Sequence, residues 1–141
     1  MAAKLQLQSR DMPFLYNVSD RVGPGGCPNR PTDVELLKVL LVIGQRSPQL
    51  QVAINGSKMQ PNRDTIFDPI LGFYIFRMQQ LGKMSVVDGV ASPAKGANFA
   101  PGTPWVVYWF NYYAKLADPA LWESLPRNRT LSPSLAAELS R

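Results

Sequence analysis

Four groups of residues have types and spacing that could do chemistry. The first is the stretch "RVGPGGCPNRPTDVELLKVLLVIG" (21–44), where Gly23, Gly25 and Gly26 lead into an apolar run. A glycine-rich loop that feeds a helix can hold phosphate on its backbone N–H groups. Here no Gly-Lys-Ser/Thr follows, and the strand–turn–helix spacing of a dinucleotide loop is missing. Pro28 and Pro31 also lack the N–H groups such a cradle needs, so a stiff connection is expected and no nucleotide site. The second is Cys27, the single cysteine. A reactive thiolate needs a base or close cations; the chain has no histidine, and only Arg21 and Arg30 are near in sequence. The third is Asp64 with Asp68, four residues apart. Carboxylates that flank a cleft can hydrolyse glycosides, whereas carboxylates at a helix start cap it and meet its dipole. Capping is the expectation here. The fourth is "PWVVYWFNYYAKL", in which Trp105, Tyr108, Trp109 and Tyr112 fall on one helical face, with Phe110 and Tyr113 off it. A core helix, a protein interface and a sugar-stacking platform all use such a face.

What is absent narrows the classes further. Without histidine and with one cysteine, Ser-His and Cys-His nucleophiles and ordinary zinc sites are excluded. No catalytic residue, metal or cofactor is expected, and the chain reads as no enzyme. The net charge is +5, but the 15 Lys and Arg residues form no run and no stripe, which describes a solvated surface better than a nucleic-acid footprint. No apolar run approaches the ~18 residues of a membrane span. The start "MAAKLQLQSRDMPFLY" is charged and polar where a signal peptide would be apolar.

These residues must be positioned by a chain of 141 residues, the length of one domain. Residues 1–31 read as an N-terminal arm and loop, with Met12, Phe14, Tyr16 and Val18 alternating as in an extended segment. A helix then begins with Thr32 and Glu35 as a capping box. Val34, Leu37 and Leu41 line one face, Leu36, Leu40 and Ile43 add to it, and Gly44 ends it. Leu50, Val52 and Ile54 alternate toward Asn55-Gly56, the pattern of a strand and turn. A second helix is expected over 65–81, capped by Asp64 or Asp68, with Pro69 in its first turn. Its apolar set is Ile66, Ile70, Phe73, Phe76 and Leu81, and Gly82 ends it. Asp88-Gly89 makes another turn. Thr103-Pro104, Asp118-Pro119 and Ser132-Pro133 each pair a cap with a first-turn proline, predicting helices over 104–117, 119–124 and 133–140. The plan is an arm (1–31), a helical domain (32–117) and a helical tail (118–141), in a mainly α fold.

The pieces "VGPGGCPNRPTDVELLKVLL", "INGSKMQPNRDTI", "ILGFYIFRMQQ" and "VVDGVASP" follow one another as in the peptidoglycan-binding-like fold, which the chain resembles over about half its length. Lys38-Val39 stands where that family usually has a Gln, and Asn55 replaces its first Asp. The resemblance implies a small three-helix bundle whose third helix falls at 104–117, and it brings no nucleophile, metal or general acid.

Two functions compete. One is a structural or adaptor subunit of a larger assembly, a phage tail or another envelope-facing particle. It would be made in the bacterial cytoplasm and bound to other subunits, a second copy of the chain among them. The other is a free-standing module that binds peptidoglycan. The expected contact residues are Phe14, Tyr16, Trp105, Tyr108, Trp109 and Tyr112. The arm, with no strand in sight to pair with, is expected to find its partner in another chain.

Overall fold

A computed structural model describes residues 1–54, 59–84, 86–95 and 105–141. Among them are six α-helices and one two-stranded sheet, so the chain is mainly helical. The apolar run after residue 30 forms α1 (Pro31–Gly44). Val34, Leu36, Leu37, Leu40 and Leu41 are all fully buried, and a helix apolar on every side must lie inside a core. It packs chiefly on α4 (Val106–Ala117), through which Val107, Phe110 and Ala114 enter the same core. A Cβ at Gly44 would lie 3.2 Å from the Cβ of Tyr113, which shows how closely the end of α1 approaches α4. Between them in sequence come α2 (Pro48–Ala53) and α3 (Pro69–Leu81); α5 (Pro119–Glu123) and α6 (Pro133–Leu139) follow.

The expected extended segment is present as a strand, but it does not lack a partner within the chain. β1 (Ala3–Gln6) and β2 (Phe14–Asn17) form an antiparallel hairpin with Ala3 opposite Asn17 and Gln6 opposite Phe14. Met12, Leu15, Tyr16 and Val18 are buried in the core of the chain itself. The other edge of β2 is also occupied. The Tyr16 N–H donates to Asn111 Oδ1 at 2.8 Å, and Asn111 Nδ2 donates back to the Tyr16 carbonyl at 2.9 Å. One side-chain amide of α4 thus fills the place of a third strand at this residue. Asn111 also accepts from Trp122 Nε1 (3.1 Å) and donates to the Val107 carbonyl (2.9 Å), so this fully buried amide is satisfied.

The capping box does not form. Pro31 takes the first helical position, which moves Thr32 into the first turn and leaves Arg30 at the cap without a side-chain bond. Thr32 and Glu35 turn instead to the C-terminal segment. The Thr32 hydroxyl donates to Glu138 Oε1 at 3.1 Å, and Glu35 accepts the N–H and hydroxyl of Ser132 at 2.7 and 2.5 Å. Asp33 accepts the Ser19 N–H and hydroxyl and the Asp20 N–H, which ties the segment after β2 to the start of α1.

Two further expectations are corrected. Residues 50–53 are helical and Ile54 caps their end, because Ser47-Pro48 starts a helix and Leu50 and Ile54 are also one helical turn apart; both are buried while Val52 is exposed. The second long helix begins at Pro69. Asp68 caps it by accepting the Leu71 N–H at 2.8 Å, and Asp64 remains in the preceding loop. Its buried face is Leu71, Tyr74, Ile75, Met78 and Gln79, whereas Ile66, Phe73 and Phe76 are exposed. Gly82 follows its last turn as expected. The caps at Asp118 and Ser132 form, each side chain accepting the N–H three residues on at 3.1 Å. Asn55-Gly56 and Thr103-Pro104 lie outside the described residues.

Two substitutions test this core. Leu37→Ala is expected to cost about 2–5 kcal/mol in urea unfolding, the range for a leucine removed from a closed core. Asn111→Leu strands the Tyr16 N–H, the Tyr16 carbonyl and the Trp122 indole N–H. At ~1–3 kcal/mol per stranded group, the expected loss is at least about 3 kcal/mol. A loss below ~1 kcal/mol would show that β2 is held by packing alone.

Candidate interaction surface

α4 has two apolar faces. Val106, Val107, Phe110, Asn111 and Ala114 point into the core. Trp105, Tyr108, Trp109 and Tyr113 are half-buried beside it, and Tyr112 is 37% exposed. Three of the six expected contact residues, Tyr108, Trp109 and Tyr112, therefore share the outer side of one helix, and Trp105 precedes it in extended backbone. Phe110, off that face in sequence, is core, and Tyr113 joins the outer strip.

The outer rings hold one another. Tyr108 and Trp109 meet edge to face with centroids 5.2 Å apart, Trp109 and Tyr112 do so at 5.5 Å, and Tyr112 and Tyr113 at 5.2 Å. Tyr108 and Tyr112 stack at 6.4 Å. Such pairs fix the rings, so a partner would meet a surface ordered in advance. Burial pushes the Tyr108 and Tyr113 hydroxyls above their ordinary pKa. Tyr112 adds to both, and Asp11, in the hairpin connection, adds to Tyr108. These hydroxyls stay neutral at physiological pH. The Trp109 indole lies against Gly82, where a Cβ would come within 2.5 Å of Nε1. That nitrogen is buried without a hydrogen-bond partner among the described residues.

Phe14 and Tyr16 belong elsewhere. Phe14 stacks on Trp122 at 4.6 Å, and Tyr16 meets Trp122 edge to face at 5.6 Å. The Tyr16 hydroxyl donates to the Trp122 carbonyl at 2.6 Å, and burial pushes its pKa far up. Lys4 lies 5.0 Å over Phe14, and Lys115 lies 5.5 Å over Trp122. This is a joint between the hairpin and α5. Tyr16, fully buried, serves this chain's core and not its surface.

The other candidates are absorbed into the fold. Asn29 closes the glycine loop on itself: its Oδ1 accepts the Gly23 N–H at 2.8 Å, and its Nδ2 donates to the Gly23 carbonyl at 2.9 Å. Gly25 and Gly26 turn through φ of +71° and +80°, which favours glycine, and Cys27 Sγ donates to the Pro24 carbonyl. Asp64 and Asp68 meet on Lys38, an α1 residue only 5% exposed. Lys38 Nζ lies 2.7 Å from Asp64 Oδ1 and 2.9 Å from Asp68 Oδ2; it also donates to the Ile66 and Asn62 carbonyls at 2.7 and 2.9 Å. The Lys38 hydrogen bond is the main cause that holds Asp64 below the usual carboxylate range. Burial of Asp68 works the other way, but donors from Leu71, Lys38 and Asn62 outweigh it and lower that carboxyl as well. Two ionised acids sharing one cation are an anchor for the 62–68 loop, not an acid–base pair. Grooves of about 670 and 540 Å³ flank the Glu35–Ser132 contact, where the tail crosses α1. Among the described residues no three His, Cys, Asp or Glu side chains gather as a metal set would require.

Sequence reasoning missed Lys38, Asn111 and Trp122. The signal for Lys38 was a lone cation inside "ELLKVLL". No family model matches the chain, and no curated protein and no solved structure matches it.

Gly82→Ala forces the indole of Trp109 to move, at an expected cost of about 1–3 kcal/mol and with a shift in tryptophan emission. An unchanged spectrum would mean that the ring does not rest on Gly82. The Lys38 anchor predicts a pH dependence. Because the folded carboxyls lie below their unfolded values, their stabilisation is full above about pH 4 and fades as the pH falls through the folded values. Urea titrations at stepped pH should show a steeper acid loss in the wild type than in Lys38→Met; equal slopes would remove Lys38 as the cause.

Proposed function

We propose that the chain is a non-catalytic structural or adaptor subunit of a larger assembly, a phage tail or another envelope-facing particle, built on a peptidoglycan-binding-like bundle. The observation that carries this reading is the second apolar face of α4. Its rings are half-buried at the edge of a core face that is already full, with Tyr112 exposed, and aromatic residues with polar tips are enriched where proteins meet. The acids support it as well. Asp33, Glu35, Asp64, Asp68, Asp118 and Glu138 each accept hydrogen bonds that hold one segment to another or cap a helix. The three long helices, α1, α3 and α4, come in the order that the resemblance expects.

The alternative, a free-standing wall-binding module, is less well supported by the same rings. Sugar stacking needs open ring faces. Here the edge-to-face contacts turn rings against one another.

Gradient sedimentation of a tagged chain from a producing culture tests the proposal. The wild type should travel with particles much larger than itself. Tyr108→Ser/Tyr112→Ser should stay at its own mass while its stability falls by no more than about 2 kcal/mol. Retention of the wild type on purified peptidoglycan, with no large particle, would overturn the proposal in favour of the wall-binding module.

A further inference from the structure

The hairpin register fixes which backbone groups point away from the sheet. In an antiparallel ladder, residues that bond to the partner strand alternate with residues whose N–H and C=O point outward. The Leu7 N–H donates to the Pro13 carbonyl at 2.9 Å, and Tyr16 turns both its backbone groups outward to Asn111. Lys4 stands opposite Tyr16, so Lys4, and Gln6 with the same parity, point theirs away from β2. Ala2 shares that parity, and its N–H is taken by Glu138 of α6 at 2.9 Å. Lys4 and Gln6 are exposed, and their outward backbone groups have no partner among the described residues. Three devices that guard such an edge are a proline, a bulge and an outward charge. β1 has no proline, and its register with β2 runs without a bulge. Its one charge, Lys4, is drawn over the face of its own sheet, 5.0 Å from the Phe14 ring and 5.9 Å from that of Tyr16.

We propose that β1 pairs with β1 of a second copy of the chain, antiparallel about a two-fold axis at Leu5, so that two hairpins join in one continuous sheet. In this register each Lys4 stands opposite the other copy's Gln6, and each such pair exchanges two backbone hydrogen bonds. The edge is complementary to itself on both faces. On one, the Lys4 ammonium, a donor only, meets a Gln6 amide whose oxygen accepts. On the other, Leu5 meets Leu5, and Ala3 meets Leu7, small against large. Leu5 and Leu7 are half-buried at the rim of the core, and the join covers apolar surface they leave open. The neighbouring registers are poorer. One sets Lys4 against Lys4, and the other carries Lys4 past the end of the paired strand, opposite Gln8.

Sedimentation equilibrium of the full chain at low salt tests this. The mass should rise from one copy to two with concentration. Gln6→Glu sets a carboxylate opposite each Lys4 and should tighten the dimer about threefold or more; Gln6→Lys sets ammonium against ammonium and should weaken it by a similar factor. Both changes lie on an exposed residue, and circular dichroism confirms that the variants fold. In a Cys27→Ser background, Leu5→Cys should cross-link two copies on oxidation, because opposite Cα atoms in a non-bonded pair lie ~4.5 Å apart. Tyr108→Ser/Tyr112→Ser should dimerise as the wild type does, which separates this edge from the α4 strip. The proposal fails if the chain stays monomeric up to about 1 mM. It fails equally if the dimer ignores both charges at position 6, or if Gln6→Glu weakens it, since that places Gln6 against Gln6.

Discussion

The amide of Asn111 is the contact on which the arrangement of this chain depends. A two-stranded hairpin is marginal by itself in water. β2 has β1 on one side, and its other edge would carry unpaired groups into a buried place. Asn111 offers one acceptor and two donors with the geometry of a peptide unit, and it meets both backbone groups of Tyr16. Its oxygen also takes the Trp122 N–H, so the hairpin, α4 and α5 are registered by one side chain. Apolar packing alone would tolerate a sliding hairpin. A fully satisfied buried amide does not, because any slip leaves its partners without bonds.

Burial of α1 explains why the ends of the chain are folded in. α4 covers one side of α1 and α6 packs on another, while the hairpin joins the same core through α4. Polar groups on α1 then choose which segment lies where. Asp33 holds the turn after β2, Glu35 holds Ser132 at the start of α6, and Lys38 holds the 62–68 loop. Glu138 on α6 joins Thr32 to the Ala2 N–H, so the first strand and the last helix meet at the start of α1. The arm and the tail are therefore parts of one core.

Features set by neighbours in sequence were legible. Cap-and-proline pairs at Asp118 and Ser132, the glycine after α3 and the apolar run of α1 all act within one turn, and each is found where expected. Features set by distant segments were not. Thr32 and Glu35 have the spacing of a capping box, yet better acceptors and donors arrive from about a hundred residues away. Leu50 and Ile54 satisfy a strand period and a helix period equally, and the proline before them decides. For α3 the apolar residues occupy two sides, so periodicity could not say which side the core takes; Tyr74 and Met78 are inside and Phe73 and Phe76 outside. On α4 the grouping of Tyr108, Trp109 and Tyr112 was legible, whereas Trp105 stands before the helix. Tyr16 was misplaced because its partner, Trp122, is 106 residues away.

The two faces of α4 differ in a way that bears on their roles. The inner face holds Val, Phe, Ala and one amide, groups that fill space and close a hydrogen-bond account. The outer side holds Tyr108, Trp109, Tyr112 and Tyr113, packed on one another edge to face and by stacking. In the core the Tyr16 hydroxyl and the Trp122 indole have buried partners. Tyr112 instead lies at the surface, and the Trp109 nitrogen is buried close to Gly82 without a partner among the described residues. Glycine at that position lets the nitrogen edge of the indole approach the end of α3, which braces the strip against the edge of the core. The inner face of α4 fills the core, while its largest side chains pack on one another at the core's edge and only Tyr112 among them reaches the surface.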